Sequence, residues 1–313
     1  MNLLELLRRI RRERYSRFPW ISVYKTRVYS GVRKAMVAII GTKACRRYEY
    51  GGCTMCPYPQ FKPKHIDVER DLRLVLRKAE AEKPEALMLY SSGSVLDERE
   101  IPFKLLKDFI AKLPPSIEEI FLESRPEFVD ERLAELDTSA KVMPAIGLET
   151  SNDIVRLYHI RKGFLRKDFL KALERAKKYA FGVKAYVLLK PPMMLEEEAL
   201  RDLKRTLKDV DLEGVRVVSV NPVHADPGTL QYELLKRNLR KPPSMCSLFE
   251  ALKEAFGRRY IAISEPLKAG KPEGIRPCKD IRQELKILKK AVRNQDPEPI
   301  IEYLDSLKRD RGG

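Results

Sequence analysis

The residues best equipped for chemistry stand close together near the start of the chain. Cys45, Cys53 and Cys56 lie within the stretch Gly41 to Tyr58, and no fourth cysteine follows nearby. Thiolates spaced C-x7-C-x2-C can hold three corners of a cubane iron–sulfur cluster and leave one iron without a protein ligand. An iron with an open position can chelate a substrate or cofactor, as an open catalytic zinc site does and a closed structural one does not. Gly51-Gly52 lets the intervening loop fold back tightly, because glycine tolerates backbone angles that side chains forbid. The same thiols are compatible with a second metal: His65, shortly after Cys56, would complete a Cys3His zinc site. Cys246 and Cys278 stand far along the chain. An odd, clustered set argues for metal or catalytic use in a reducing cytosol rather than for a disulfide framework, and Cys246 reads as a small buried hydrophobe.

The elements that must position these thiols alternate in type. Residues 35–40 are a short continuous apolar run, as expected of a strand buried on both faces, and the cysteine loop follows directly. Further strands are expected at 86–90, 118–122, 142–148, 183–189 and 215–220, with helices near 67–82, 100–112, 126–135, 166–180 and 196–209. Asp67 is the N-cap candidate of the first helix. Such a series implies an α/β fold with a parallel sheet and right-handed crossovers. It can close into a partial barrel or stay open as a doubly wound sheet; periodicity does not separate the two. Ligands on parallel sheets bind at the carboxyl ends of strands, and the polar chemistry falls there. The cysteine loop follows the first strand, Ser92-Gly93-Ser94 the second, Glu123-Ser124-Arg125 the third, Glu149-Thr150 the fourth, Lys190 the fifth and Asn221-Pro222-Val223-His224 the sixth.

Three regions follow: a basic N-terminal segment over 1–34, the βα core over 35–225, and a C-terminal α/β extension over 226–313. The first carries ten basic side chains against two acidic ones, interleaved with Tyr15, Phe18, Trp20, Tyr24 and Tyr29. Arginine mixed with aromatics suits a surface that tracks phosphates and stacks bases. The same segment also reads as an amphipathic helix with Leu3, Leu6, Leu7 and Ile10 inward and its arginines in solvent. Across the 313 residues, 62 Lys and Arg against 45 Asp and Glu give a net charge of +17. A polyanionic partner is expected on electrostatic grounds, nucleic acid first. No apolar run approaches the roughly 20 residues of a membrane span. The arginines follow the leucines of the N-terminus, where a signal peptide would place them first. A cytoplasmic location without membrane contact is expected.

The cysteine motif after the first strand of a six-fold βα series resembles the radical S-adenosylmethionine enzymes, in particular the branch that includes the elongator catalytic subunit. The likeness covers most of the barrel: Ser91-Ser92-Gly93-Ser94-Val95-Leu96-Asp97, Glu123-Ser124-Arg125-Pro126-Glu127, Gly147-Leu148-Glu149-Thr150-Ser151 and Arg161-Lys162-Gly163 stand where that branch has its motifs. Gly51-Gly52-Cys53-Thr54-Met55-Cys56 together with Asn221-Pro222-Val223-His224 is similar to the archaeosine-forming, tRNA-modifying members.

The resemblance implies a partial (βα)6 barrel in which Cys45, Cys53 and Cys56 hold a [4Fe-4S] cluster. The open iron would take the amino and carboxylate groups of S-adenosylmethionine. Ser92, Gly93 and Ser94 would meet the methionyl amino group, Arg125 its carboxylate, and Glu123 and Glu149 the ribose or ammonium. Lys190 and His224 would face the substrate. On the residues alone, Glu123 and Arg125 can equally be a rim ion pair, and Ser92 and Ser94 turn formers. The implied partners are tRNA, archaeosine synthase and an unidentified electron donor, and the implied reaction is radical C–N cleavage of lysine-adducted 7-cyano-7-deazaguanine. Other radical chemistry on a different RNA or a small molecule, and zinc-stabilised RNA binding without catalysis, are the alternatives. Two departures from the family pattern stand out. Met55 occupies the position before the last cysteine where an aromatic residue is usual, leaving Tyr58 as the adenine contact. Cys278 has no close second cysteine where a paired C-terminal motif is expected, which disfavours a second cluster or zinc there.

Overall fold

The computed structural model describes residues 2–312. Its strands are β1 (Arg14–Ser16), β2 (Trp20–Arg27), β3 (Val32–Ile39), β4 (Phe61–Pro63), β5 (Ala86–Tyr90), β6 (Glu119–Ser124), β7 (Lys141–Glu149), β8 (Lys184–Leu189), β9 (Val217–Pro222) and β10 (Ile261–Ile263). Its helices are α1 (Leu3–Ile10), α2 (Arg46–Glu49), α3 (Val68–Glu82), α4 (Phe103–Ala111), α5 (Arg166–Tyr179), α6 (Glu196–Glu213), α7 (Leu230–Lys236), α8 (Met245–Ala255), α9 (Ile281–Asn294) and α10 (Glu298–Gly312). Eight strands form one curled half-barrel sheet in the order β10-β9-β8-β7-β6-β5-β3-β2. All neighbours are parallel except the β2–β3 hairpin. β1 and β4 make a separate parallel pair beside it.

The six expected strands are β3 and β5 to β9, and the half-barrel resolves the choice that periodicity left open. The sheet gains two further members from outside the βα core of the sequence: β2 within residues 1–34, and β10 within residues 226–313. Residues of the basic N-terminal stretch are therefore built into the sheet. At the far edges Glu265, just past β10, accepts hydrogen bonds from Tyr24 (3.1 Å) and Thr26 of β2. One side chain thus bridges the two open edges of the half-barrel.

Local sequence explains the helices. The Asp67 side chain accepts from Arg70 N at 2.9 Å, an N-cap that stabilises α3 by about 1 kcal/mol. On α5, Phe169, Ala172, Leu173 and Ala176 are buried at helical spacing; burying a large side chain such as Phe169 or Leu173 contributes about 1.5–3 kcal/mol. The expected helix over 126–135 is instead two 3₁₀ turns, Pro126–Phe128 and Glu131–Glu135. The Asp130 side chain accepts from Arg132 N at 3.1 Å and starts a second turn before the first can propagate.

Cys246 and Cys278 are joined as a disulfide. This corrects the expectation of isolated thiols, and the cause is a pairing of distant backbone segments. Ser244 and Arg276 form a parallel bridge, with Met245 N donating to Arg276 O (2.8 Å) and Arg276 N to Pro243 O (2.9 Å). The two cysteines lie two residues beyond it, with Cα atoms 5.5 Å apart.

Candidate active site

The carboxyl ends of the strands and the barrel interior share one cavity of about 390 Å³. Cys45, Cys53 and Cys56 line it together with Tyr58, Ser92, Gly93, Glu123, Arg125, Glu149 and His224. The loop that carries the thiols is tied down from three sides. Arg11, one residue beyond α1, donates to Cys53 O at 2.6 Å and to Gly51 O, and its guanidinium lies 5.2 Å from the Tyr48 ring centroid. Thr54 donates from its backbone N to Ile160 O (2.9 Å) and from its hydroxyl to His159 O (2.6 Å). Leu230 N at the start of α7 donates to Thr54 O at 2.8 Å. Gly51 and Gly52 have φ of 86° and 66°, and a Cβ on Gly52 would sit 2.7 Å from the Arg11 guanidinium. The glycines permit both the reversal and the arginine clamp. The segment holding Thr54, Val155–Ile160, is a π-helix, a rare geometry that concentrates at functional sites. Burial, reinforced by Cys53, pushes the Cys45 thiol up to about 11, and burial pushes Cys56 up further. Metal ligation is what makes such crowded thiols ionise.

Around the loop the rim is a network of carboxylates. Glu100 is buried and accepts from Thr42 Oγ1 (2.8 Å), Ser91 Oγ (2.8 Å) and Ser94 N (2.9 Å). It holds the β5 turn against the cysteine loop. Glu123 accepts from Ser91 N at 3.1 Å, and burial pushes its carboxyl up to about 8. Arg125 donates to Glu127 (2.6 Å) and to Lys162 O (3.0 Å), and lies 5.4 Å from the Phe164 ring. Glu149 has a left-handed φ of 65° where β7 bulges between Gly147 and Glu149. That sparsely populated conformation aims its carboxylate at Lys162 Nζ, 2.6 Å away.

Two sequence candidates lie outside the cavity. Ser94 turns its hydroxyl to accept from Arg125 N at 3.1 Å and so supports the rim from below. Lys190 pairs with Glu196 at 2.6 Å, and Glu196 also accepts from Ser244 N (2.8 Å) and Ser247 Oγ (2.7 Å). Lys190 therefore anchors α8 against the sheet. His65 is exposed and away from the thiols' cavity, so the Cys3His arrangement is not formed. His224 stays at the rim with Nδ1 2.6 Å from Asp226 Oδ2. Burial acts upward on Asp226, but His224 and Lys268 hold it down at about 2.

Sequence reasoning missed the interior below the rim. Thr26, Tyr90, Lys184, Tyr186 and Ser219 line the cavity, together with the exposed Tyr24 and Glu265. The Tyr90 and Tyr186 hydroxyls are 2.6 Å apart, and Lys184 Nζ is 3.5 Å from the Tyr90 hydroxyl. The signal was present in β8, where Lys184, Tyr186 and Leu188 alternate with Ala185, Val187 and Leu189 and must share a face. Lys162 was also missed as a site residue, although it stands in a motif that the resemblance covers.

The arrangement defines a class: an α/β half-barrel with three cavity-facing thiols on its carboxyl rim and charged groups filling its interior. The family model described as the Radical SAM superfamily matches residues 39–210. The archaeosine synthase subunit beta of Methanosarcina acetivorans is 33% identical over 267 residues, covering 81% of this chain and 77% of that protein. The archaeosine synthase subunit beta of Thermococcus kodakarensis is 32% identical over 296 residues, 88% of this chain and 90% of that one. Among solved structures, the archaeal Elp3 of Methanocaldococcus infernus with an N-terminal deletion superimposes with a TM-score of 0.51 at 15% identity. It covers 87% of this chain, which spans 63% of that structure's length. The chain belongs to the radical S-adenosylmethionine superfamily, whose members use a [4Fe-4S] cluster and S-adenosylmethionine. Among the described residues no helix is long and apolar enough to cross a membrane.

Proposed function

We propose that the chain is the radical subunit of an archaeosine-forming system, acting on tRNA that carries a lysine-adducted 7-cyano-7-deazaguanine. The observation that carries this is the joining of the thiols and the charged barrel interior in one cavity, in a chain similar over most of its length to proteins named archaeosine synthase subunit beta. Cys45, Cys53 and Cys56 hold the cluster. The cluster, reduced by one electron from the donor, and S-adenosylmethionine would together supply a 5′-deoxyadenosyl radical and methionine, the radical serving hydrogen abstraction and C–N cleavage. The protein's own groups position it. Ser92 and Gly93 form the floor beside the cluster, with Ser94 and Glu100 fixing that turn. Arg125 offers its guanidinium to the methionyl carboxylate, Glu123 and Glu149 serve the ribose and ammonium, and Tyr58 lies along the adenine in place of the aromatic that Met55 displaces. His224, on the opposite rim, faces the substrate. The partner is the other archaeosine synthase component, with an electron donor of unassigned identity.

The tRNA is held by exposed basic groups on the N-terminal face, Arg8, Arg9, Arg12, Arg14 and Arg17, with Tyr15 and Trp20 exposed among them, and by the 236–241 segment after α7. Anaerobic reconstitution with dithionite, S-adenosylmethionine and adducted tRNA is expected to yield 5′-deoxyadenosine, and archaeosine in the tRNA digest by mass spectrometry. No 5′-deoxyadenosine would overturn the enzymatic reading, and 5′-deoxyadenosine without a changed nucleoside would overturn the substrate. Binding of tRNA is expected to weaken steeply as salt rises; salt-insensitive binding would refute the assigned surface.

A further inference from the structure

Most buried lysines in and beside this site are matched. Lys162 has Glu149, and Lys190 has Glu196. Lys184 is the exception. It is 3% exposed, at the inner end of β8, and among the described residues its ammonium meets no carboxylate within ion-pair distance. It has one long hydrogen bond, to the Tyr90 hydroxyl at 3.5 Å, and rests 5.1 Å from the Phe121 ring centroid and 4.9 Å from that of Tyr186. Ring faces attract a cation but leave its N–H groups without acceptors, and a buried cation lacking an acceptor is costly. The lysine also lines the cavity, so an anion entering from the rim can reach it. Burial lowers its pKa to about 8, with the charges of Glu265 and Glu123 opposing the fall.

The complementary charge is in the same cavity. Glu265 is itself solvent-exposed, lines the cavity and is reached by the hydroxyls of Tyr24 and Thr26. Both are neutral donors, and Glu265 is within electrostatic reach of Lys184 without forming an ion pair with it. A positive group and a negative group that share a cavity without pairing match a ligand that carries both signs.

We propose that the barrel interior receives the head group of an amino acid, Lys184 taking the carboxylate and Glu265 the ammonium. This rests on the function proposed above and deepens it, since a lysine joined through its side-chain nitrogen presents its α-carboxylate and α-ammonium at the free end. The strand rise of about 3.3 Å per residue sets the Lys184 backbone roughly 13 Å along β8 from Leu188, and the side chain carries its ammonium back up beside the Tyr186 ring and the Tyr90 hydroxyl. A head group anchored there leaves the extended side chain running up toward the thiols. Lys184 and Glu265 are then specificity-determining residues, and the substrate enters amino-acid end first.

The test uses the reconstituted full-length enzyme with free L-lysine, cadaverine (lysine without its carboxylate) and 6-aminohexanoate (lysine without its α-amino group), followed by saturation-transfer NMR. Wild-type protein is expected to bind lysine about tenfold or more tightly than either analogue, the scale of one charge-assisted contact. Lys184→Met should abolish the preference over cadaverine and Lys184→Arg should retain it, while Glu265→Gln should abolish the preference over 6-aminohexanoate. Iron content and thermal melting establish that each variant is folded. Equal binding of lysine and cadaverine by the wild type, or a preference that survives in a folded Lys184→Met, would overturn the proposal. The binding arms need no turnover. A lysine preference without archaeosine formation would sink the tRNA reading and leave the head-group site standing; archaeosine formation without the preference would do the reverse.

Discussion

Gly93 offers the sharpest test of how the rim supports the thiols. A Cβ built on Gly93 would lie 2.2 Å from Glu100 Oε1, 2.6 Å from Cys45 Cα and 2.9 Å from Cys45 Cβ. Neither neighbour yields easily. Glu100 is fixed by Thr42, Ser91 and Ser94, and the Cys45 contact is to backbone at the N-cap of α2, whose Arg46 forms a two-point ion pair with the buried Asp97 at 2.7 Å. Restoring an ordinary contact of about 3.5 Å moves Cys45 by roughly 0.9 Å, and overpacking of this kind costs about 1–3 kcal/mol. Displacement by about 1 Å is also enough to spoil a pre-organised site. Gly93→Ala is therefore expected to lower the unfolding free energy by about 2 kcal/mol and to lose most of its iron and sulfide after reconstitution. The checks are urea denaturation of the cluster-free protein, then iron and sulfide analysis with electron paramagnetic resonance of the reduced cluster. If Gly93→Ala binds a full cluster at unchanged stability, Gly93 does not set the distance between the β5 turn and Cys45. If it binds the cluster but loses affinity for S-adenosylmethionine, the glycine is required for ligand approach instead.

Glu123 gives a pH signature. Burial holds its carboxyl at about 8 against an ordinary 4.5, with Glu100 and Glu149 adding to the rise and Ser91 N and Lys162 opposing it. The folded cofactor-free protein then binds more protons than the unfolded chain between these values, so its stability falls as pH rises from about 4.5 through 8. Glu123→Gln should flatten that fall when urea denaturation is repeated across the range, and an unchanged slope would refute the burial argument. Lys190→Met is expected to cost about 1–3 kcal/mol through the loss of its charge-assisted bond to Glu196, which keeps Arg276 at 3.6 Å, while leaving the lysine-over-cadaverine preference intact; altered preference at unchanged stability would return Lys190 to the substrate. Cys246→Ser opens a loop of sequence separation 32, which the chain-entropy estimate values at about 3–4 kcal/mol. Melting of the oxidised wild type and the variant should differ by several degrees and converge after reduction, and equal melting of the two oxidised proteins would exclude a stabilising bridge.

Much of this frame was legible because a parallel sheet buried on both faces writes its strands as apolar runs. Residues 35–40 and 86–90 are such runs, and polar residues at their carboxyl ends marked the rim. What was not legible falls into two kinds. The inward charge of Lys184 was written in the alternation of β8, but an apolar run conceals which of its two faces is the interior. Glu265 and the Cys246–Cys278 bridge depend on contacts between segments far apart in sequence, 239 residues separating Thr26 from Glu265. Local periodicity carries no record of such contacts. Lys190 misled for a related reason: its position after β8 put it on the rim, while a left-handed φ of 62° and the carboxylate of Glu196 turn it away from the cavity.

The placement of Arg11 joins the two ends of the functional argument. The N-terminal arginines read from sequence as either an RNA surface or a solvated helix face, and the structure divides them. Arg8, Arg9 and Arg12 are exposed, whereas Arg11 is half-buried with its guanidinium spent on the carbonyls of Gly51 and Cys53. Two of the five N–H groups of that guanidinium are committed to carbonyls of the cysteine loop, and its plane lies over the Tyr48 ring. The segment proposed to meet tRNA and the loop proposed to hold the cluster are consequently one mechanical unit, linked within a few residues of chain. A phosphate drawn to Arg8, Arg9 or Arg12 would act on the same short segment that fixes Cys53, so the proposed RNA surface and the set of the cysteine loop share a physical connection.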